Sequence, residues 1–288
     1  MRRTLLAALT TVLATGLLAG GGGSTPSATA GAPLDMVSMG DSYRAASGVL
    51  PPDPTAPVEC LRSTANFGHV IAGRLGARLT DVSCGGAESK HYFEPFHPDT
   101  PPQLDALSRG TDLVTMTIGG NDNGVFIGSI VACGSAGLST AGQGSPCKDR
   151  YGDQFTTDIR TKTYPALLKA FRAVRNRAPN ARVAVLGYPW IMPKREGCFP
   201  QMPVARGDVP YLRNLQTVLN NNVERAAVNA GATFVDMSVV SEGHDACQSI
   251  GVRWVEPVVG TTNPVVVHPN AFGEKRMADR TMYVLGLR

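Results

Sequence analysis

Three short apolar segments of this chain each run into a glycine turn, with stretches of helical period between them. Leu34–Met39 stops at Gly40-Asp41-Ser42, Asp81–Cys84 at Gly85-Gly86, and Asp112–Ile118 at Gly119-Gly120. A fourth segment, Arg182–Leu186, meets Gly187, and a fifth spans Thr233–Val235. Short apolar runs bounded by glycine are what strands buried on both faces look like in a sequence. Between them the period changes. Phe67, Val70, Ile71, Leu75 and Leu79 mark a helix over 65–79, and Leu167, Leu168, Phe171 and Val174 mark one over 158–177. Further helices are predicted over 209–230 and 271–285, with a helical turn at 104–109. Residues 123–150 read as a mixed, glycine-rich stretch, and 238–267 as a long irregular one. Strands alternating with helices predict an α/β fold, a three-layer α/β/α sandwich around a mainly parallel sheet. Ligands of such sheets bind beyond the carboxyl ends of the strands, so the glycine turns at 40–42, 85–86 and 119–121 point to one site.

The first of those turns carries chemistry. A serine just past a buried strand can expose its hydroxyl while its backbone N–H points into the same space. Acyl transfer needs both, an attacking oxygen and a donor for the oxyanion. Gly-Asp-Ser alone is common in turns, and Ser42 by itself reads equally well as a helix cap. Two distant segments add weight, Ile118-Gly119-Gly120-Asn121-Asp122 and Val267-His268-Pro269-Asn270. Asp41 and Asp122 have neither histidines nor further acids beside them, so hydrogen bonding in turns is expected of them and no metal site is expected. Tyr43, Phe126 and Trp254 are read either as lining for an acyl pocket or as plain packing.

The compartment can be read from the start of the chain and from its cysteines. Arg2-Arg3, the apolar run from Leu5 to Leu18 and the small residues Ala28-Thr29-Ala30 make residues 1–30 a predicted signal peptide, leaving one domain over 31–288. Leu18-Ala19-Gly20 resembles the start of a lipoprotein signal, but Gly21 stands where lipidation needs cysteine, so release rather than anchoring is expected. Lys and Arg number 27 against 23 Asp and Glu, and two of the bases sit in the leader. A balance so near neutral gives no sign of a nucleic-acid partner. Six cysteines behind an export signal imply disulfides, and their spacing gives no zinc pattern. Sequence does not choose among the pairings. The sequential one, Cys60–Cys84, Cys133–Cys147 and Cys198–Cys247, is preferred because each bond would clip a loop at the edge of the site.

Four blocks, Gly40-Asp41-Ser42, Cys84-Gly85-Gly86-Ala87, Gly119-Gly120-Asn121-Asp122 and His268-Pro269-Asn270, resemble in order those of the SGNH (GDSL) hydrolases. The six-cysteine exported form is most similar to actinobacterial secreted lipases and esterases. The resemblance implies a flavodoxin-like fold and a serine ester hydrolase without cofactor or metal, working on small-molecule or lipid esters; the sequence shows no oligomerisation signal, and a monomer is expected. Transient contact with membrane or cell-envelope lipid would go with such substrates. By the same resemblance Ser42 would be the nucleophile and His268 its general base. The Ser42 and Gly86 N–H groups and the Asn121 side-chain amide would hold the oxyanion.

One position departs from the family. Where most members carry Asp three residues before the histidine, this chain has Val265. That acid orients the imidazole and stabilises its charged form. A backbone carbonyl can orient the ring without supplying a charge. The carbonyl of Val265 is the first candidate, and Glu256 and Asp245 are the acids best placed to reach instead. Other readings are a carbohydrate O-acyl esterase, an acyltransferase acting on envelope glycans or lipids, and, against the intact blocks, a non-catalytic binding protein.

Overall fold

A computed structural model describes residues 32–288, so the predicted signal peptide and Gly21 lie outside the described residues. Five strands, β1 (Asp35–Gly40), β2 (Arg78–Asp81), β3 (Leu113–Thr117), β4 (Arg182–Leu186) and β5 (Thr233–Val235), form one sheet in the order β2-β1-β3-β4-β5. Every pairing is parallel. The helices are α1 (Ser42–Ala45), α2 (Phe67–Leu75), α3 (Val125–Ser139), α4 (Pro146–Tyr151), α5 (Gln154–Asp158), α6 (Tyr164–Arg177), α7 (Val209–Asn229) and α8 (Ala271–Leu285).

Alternation along the strands builds two cores. Val37 and Met39 of β1 face a cluster with Leu167 and Phe171 of α6 and Leu215 and Leu219 of α7. Met36, the residue before Val37, points to the opposite face, toward Phe67 and Ile71 of α2 and Met277 and Met282 of α8. The result is a three-layer α/β/α sandwich with the sheet buried on both sides. The chain leaves β1 toward β2 in one direction and continues from β3 toward β5 in the other. The crevice beyond the ends of β1 and β3 is therefore the switch point, where ligands of open parallel sheets bind.

Three boundaries differ from the sequence reading. The helix expected over 65–79 ends at Leu75, because Gly76 takes a left-handed conformation (φ 60°) and its N–H closes on Ala72. β2 therefore forms at 78–81 rather than 81–84, and it stops where the Asp81 carboxylate accepts the Ser83 N–H at 3.0 Å. The helix expected over 158–177 is broken by a π turn at Ile159–Thr163, just before Pro165, which has no N–H to continue a regular ladder. The glycine-rich stretch 123–150 contains α3 and α4. Gly137 lets α3 lie against the 203–205 backbone, since a Cβ there would sit 2.2 Å from the Pro203 carbonyl oxygen.

Candidate active site

Gly40 ends β1 at φ 135°, and a Cβ on it would lie 2.0 Å from the Thr117 carbonyl oxygen. Only glycine fits a backbone so close to β3 in that conformation. The Gln103 side chain completes the strand end, accepting the Gly40 N–H at 2.6 Å and donating to the Gly40 carbonyl at 3.0 Å. Asp41 then caps α1, its carboxylate accepting the Tyr43 N–H at 3.1 Å. The cap is thus Asp41, and Ser42 is the first helical residue.

The same turn is tied to its two neighbours. Asp41 N–H donates to the Thr117 carbonyl at 3.0 Å, and Cys84 N–H donates to the Gly40 carbonyl at 3.1 Å. Asn121 Nδ2 donates to the Ala87 carbonyl at 3.1 Å, joining the turn after β3 to the one following β2. Gly86 adopts φ 84°, a conformation available to it without a Cβ. Among the described residues neither the Ser42 nor the Gly86 N–H donates to another protein group. Ser42, Asn121 and His268 line one cleft with Phe126, Ile127, Ile130 and Ile191. Gly86 is not part of that lining; it lies beside the Phe96 ring.

His268 comes from the long segment ahead of α8. Its Nε2 lies 2.7 Å from Ser42 Oγ. Its Nδ1 lies 2.7 Å from the carbonyl oxygen of Val266, which replaces Val265 as the orienting group. The reason is local backbone. Val267 is left-handed (φ 61°), a strained state for a β-branched residue, and this turns the preceding carbonyl back onto the ring. Hydrogen bonds hold Val267 there, from its N–H to the Glu256 carbonyl at 3.0 Å and from Tyr43 Oη to its own carbonyl at 2.7 Å. A carbonyl only accepts, so Nδ1 carries the proton and Nε2 is free to accept from serine. Burial holds the imidazole below its ordinary pKa, opposed by the Val266 hydrogen bond.

Among the described residues no carboxylate hydrogen-bonds to His268. Glu256 is buried on other partners, Arg253 Nη2 at 2.6 Å, the Thr262 N–H at 2.7 Å and Asn270 Nδ2 at 2.8 Å. Asp245 caps its own turn through the Cys247 N–H at 3.0 Å. Asp122 accepts the Ser89 N–H at 2.7 Å. Asp41 is buried, and its carboxylate takes hydrogen bonds from Tyr188 Oη and, at 2.8 Å, from Thr117 Oγ1. Burial pushes that carboxyl up to about 6, against the pull of these donors.

Tyr43 and Phe126 line the cleft, whereas Trp254 stacks on His244 at 4.5 Å in a separate hollow near α8. The hollow lined by Gly142, Glu196, Phe199 and Arg206 has no serine, cysteine or histidine in its wall. Three disulfides join Cys60 to Cys84, Cys133 to Cys147 and Cys198 to Cys247. The first anchors the Gly85-Gly86 turn, whose Gly85 N–H also donates to the Cys60 carbonyl at 2.8 Å. Sequence reasoning missed Gln103, Tyr188 and Val266, all brought in by chain remote from, or irregular around, the motifs they serve.

The profile of the GDSL-like Lipase/Acylhydrolase family matches residues 38–276. Lipase 2 of Streptomyces coelicolor is 56% identical over 291 residues, spanning 100% of this chain and 98% of its own. A lipase of Streptomyces rimosus is 29% identical over 246 residues, covering 84% of this chain and 83% of the relative. Among solved structures, the extracellular lipase from Streptomyces rimosus aligns with a TM-score of 0.72 at 26% identity, over 87% of this chain and 99% of that one. Phospholipase A1 from Streptomyces albidoflavus also aligns at 0.72, over 88% and 99%, and at 24% identity that likeness concerns the fold alone.

Proposed function

Because this chain belongs to the GDSL-like lipase and acylhydrolase family and is a carboxylic ester hydrolase, we propose that it cleaves acyl esters by a Ser42–His268 dyad through an acyl-enzyme. The observation that carries this reading is the 2.7 Å contact between Nε2 of a neutral, Nδ1-protonated His268 and Ser42 Oγ. Ser42 Oγ attacks the ester carbonyl as His268 takes its proton. The carbonyl electrons move onto oxygen, where the Ser42 and Gly86 N–H groups and the Asn121 amide meet the charge. One such donor lowers a barrier by about 3 kcal/mol. The intermediate collapses as the alcohol leaves with the proton from His268. Water, deprotonated by the same imidazole, then attacks the acyl-enzyme and releases the acid.

The apolar wall of Phe126, Ile127, Ile130 and Ile191 supports an acyl chain as the group beside Ser42, and so lipid or short-chain esters over acetylated glycans. Three disulfides, together with the leader read in the sequence, support export with residues 31–288 as the mature domain. The test is Ser42→Ala, assayed on p-nitrophenyl esters from acetyl to palmitoyl and on phospholipid and acetylated xylan. Fluorophosphonate should label the wild type and not the variant. Turnover or labelling retained in a folded Ser42→Ala protein would remove Ser42 from the mechanism.

A further inference from the structure

One buried hydroxyl touches both halves of this site. Tyr188 lies two residues beyond β4, on the far side of β3 from β1. Its Oη donates to Asp41, the residue before Ser42, and accepts the N–H of Gly120, the residue before Asn121, at 2.8 Å. The directions follow from chemistry. An amide N–H cannot accept, so the phenol's single proton goes to the carboxylate and its lone pair receives the amide.

The ring has no freedom to serve either partner separately. Its backbone N–H donates to Asn220 Oδ1 at 2.9 Å, and its carbonyl accepts from Asn220 Nδ2 at 3.0 Å and Gln216 Nε2 at 3.2 Å. Tyr43 packs edge-on against it, centroids 5.1 Å apart. On the loop side a Cβ at Gly120 would lie 3.1 Å from both Cζ and Oη. Glycine at 120 therefore lets the turn close onto the phenol. Packing alone would be satisfied by phenylalanine; of the Tyr188 side chain, only the hydroxyl bonds to Asp41 and to Gly120.

We propose that Tyr188 is a positioning residue that locks the Gly119-Gly120-Asn121 turn to the Asp41-Ser42 turn, so that the Asn121 amide and the Ser42 oxygen keep one fixed separation. The inference rests on the reading of Ser42 and Asn121 given above. Without the hydroxyl, Gly120 N–H and one Asp41 oxygen are buried with no partner, and the turn must shift to relieve them. A displacement on the order of 1 Å at a reacting centre costs about 100-fold.

The experiment compares Tyr188→Phe, Gly120→Ala and Asn121→Ala, and the pair Tyr188→Phe/Asn121→Ala, on a soluble p-nitrophenyl ester. Gly120→Ala presses on the same contact from the opposite side, and so tests the link even where Tyr188→Phe does not fold. In folded protein, Tyr188→Phe and Gly120→Ala should lower kcat by about 10- to 100-fold with KM within about twofold. Tyr188→Phe should lower the activity of Asn121→Ala far less than that of the wild type, because the group being positioned is already gone. A purely structural Tyr188 predicts lower thermal stability with unchanged kcat, or equal fold-losses in both backgrounds; either result overturns the proposal. The two readings fail separately. Full activity in Ser42→Ala sinks the dyad, whereas inactive Ser42→Ala and Asn121→Ala beside fully active Tyr188→Phe and Gly120→Ala sink only the link.

Discussion

Glu256→Gln separates stability from catalysis at the last acid before His268 in the chain. Its carboxylate lies 2.6 Å from Arg253 Nη2, with side-chain exposures of 1% and 2%, so this is a buried ion pair. Its backbone pairs with the His268 segment, through Glu256 N–H to the His268 carbonyl at 2.9 Å and Val267 N–H to the Glu256 carbonyl at 3.0 Å, while its carboxylate accepts from Asn270 Nδ2 and not from the imidazole. Glutamine preserves that backbone and can still serve Asn270 or Thr262, but it leaves the Arg253 guanidinium buried without its counter-charge. Such a loss costs about 3–5 kcal/mol. In a domain of this size that is a fall in Tm of roughly 6–20 °C.

Turnover per folded molecule should stay within about threefold of wild type, because removing a working triad acid costs about 10⁴. Thermal melts and kcat on p-nitrophenyl butyrate, measured at 25 °C where the variant remains folded, give both quantities. Burial alone would raise the Glu256 pKa, but hydrogen bonds from Arg253, Asn270 and the Thr262 N–H hold it below its ordinary 4.5. A depressed carboxylate stabilises the fold above its unfolded pKa and loses that contribution as pH falls through the folded one. The gap in Tm between wild type and variant should therefore be full at neutral pH and narrow below about 4.5. A collapse of kcat in well-folded Glu256→Gln would make Glu256 a displaced triad acid and refute the carbonyl-held dyad.

Three further outcomes are expected. Because burial, opposed by the Val266 hydrogen bond, lowers the His268 pKa from 6.5, kcat/KM should rise with pH around a midpoint below 6.5 and then stay level; a midpoint above it contradicts the buried, neutral base. Cys198–Cys247 spans 49 residues and Cys133–Cys147 spans 14, so replacing each pair by serine should cost about 4 and about 3 kcal/mol in denaturant melts, and the reverse order would contradict loop closure as the cause. Gly40→Ala places a methyl 2.0 Å from the Thr117 carbonyl oxygen at a glycine-only φ and should cost more than about 3 kcal/mol. Soluble, active Gly40→Ala protein would show that β1 and β3 can separate at their ends.

Features that neighbouring residues specify together were legible in the chain alone. Alternation of apolar runs with helical period specified a parallel sheet covered on both faces. The glycine turns following three strands located the site; at Gly40 the chain turns so close to the Thr117 backbone that there is no room for a Cβ. The four blocks carried the family, and with it the candidate roles of Ser42, Asn121 and His268. Where local signals compete, boundaries moved. Gly76 ended α2 early and Pro165 broke the helix before α6, while α3, rich in glycine and short side chains, left too weak a period to be read.

Which groups support the site depends on contacts that exist only in the folded chain. Val266 rather than Val265 faces His268 because Val267 is held left-handed by Glu256 and by Tyr43, residues far apart in the chain. Tyr188 and Gln103 enter from beyond β4 and from a loop before β3, with nothing in their own surroundings to mark them. Such contacts carry no period and no spacing. They exist because the sheet brings the ends of β1, β3 and β4 side by side, so that polar groups buried there must find partners in one another.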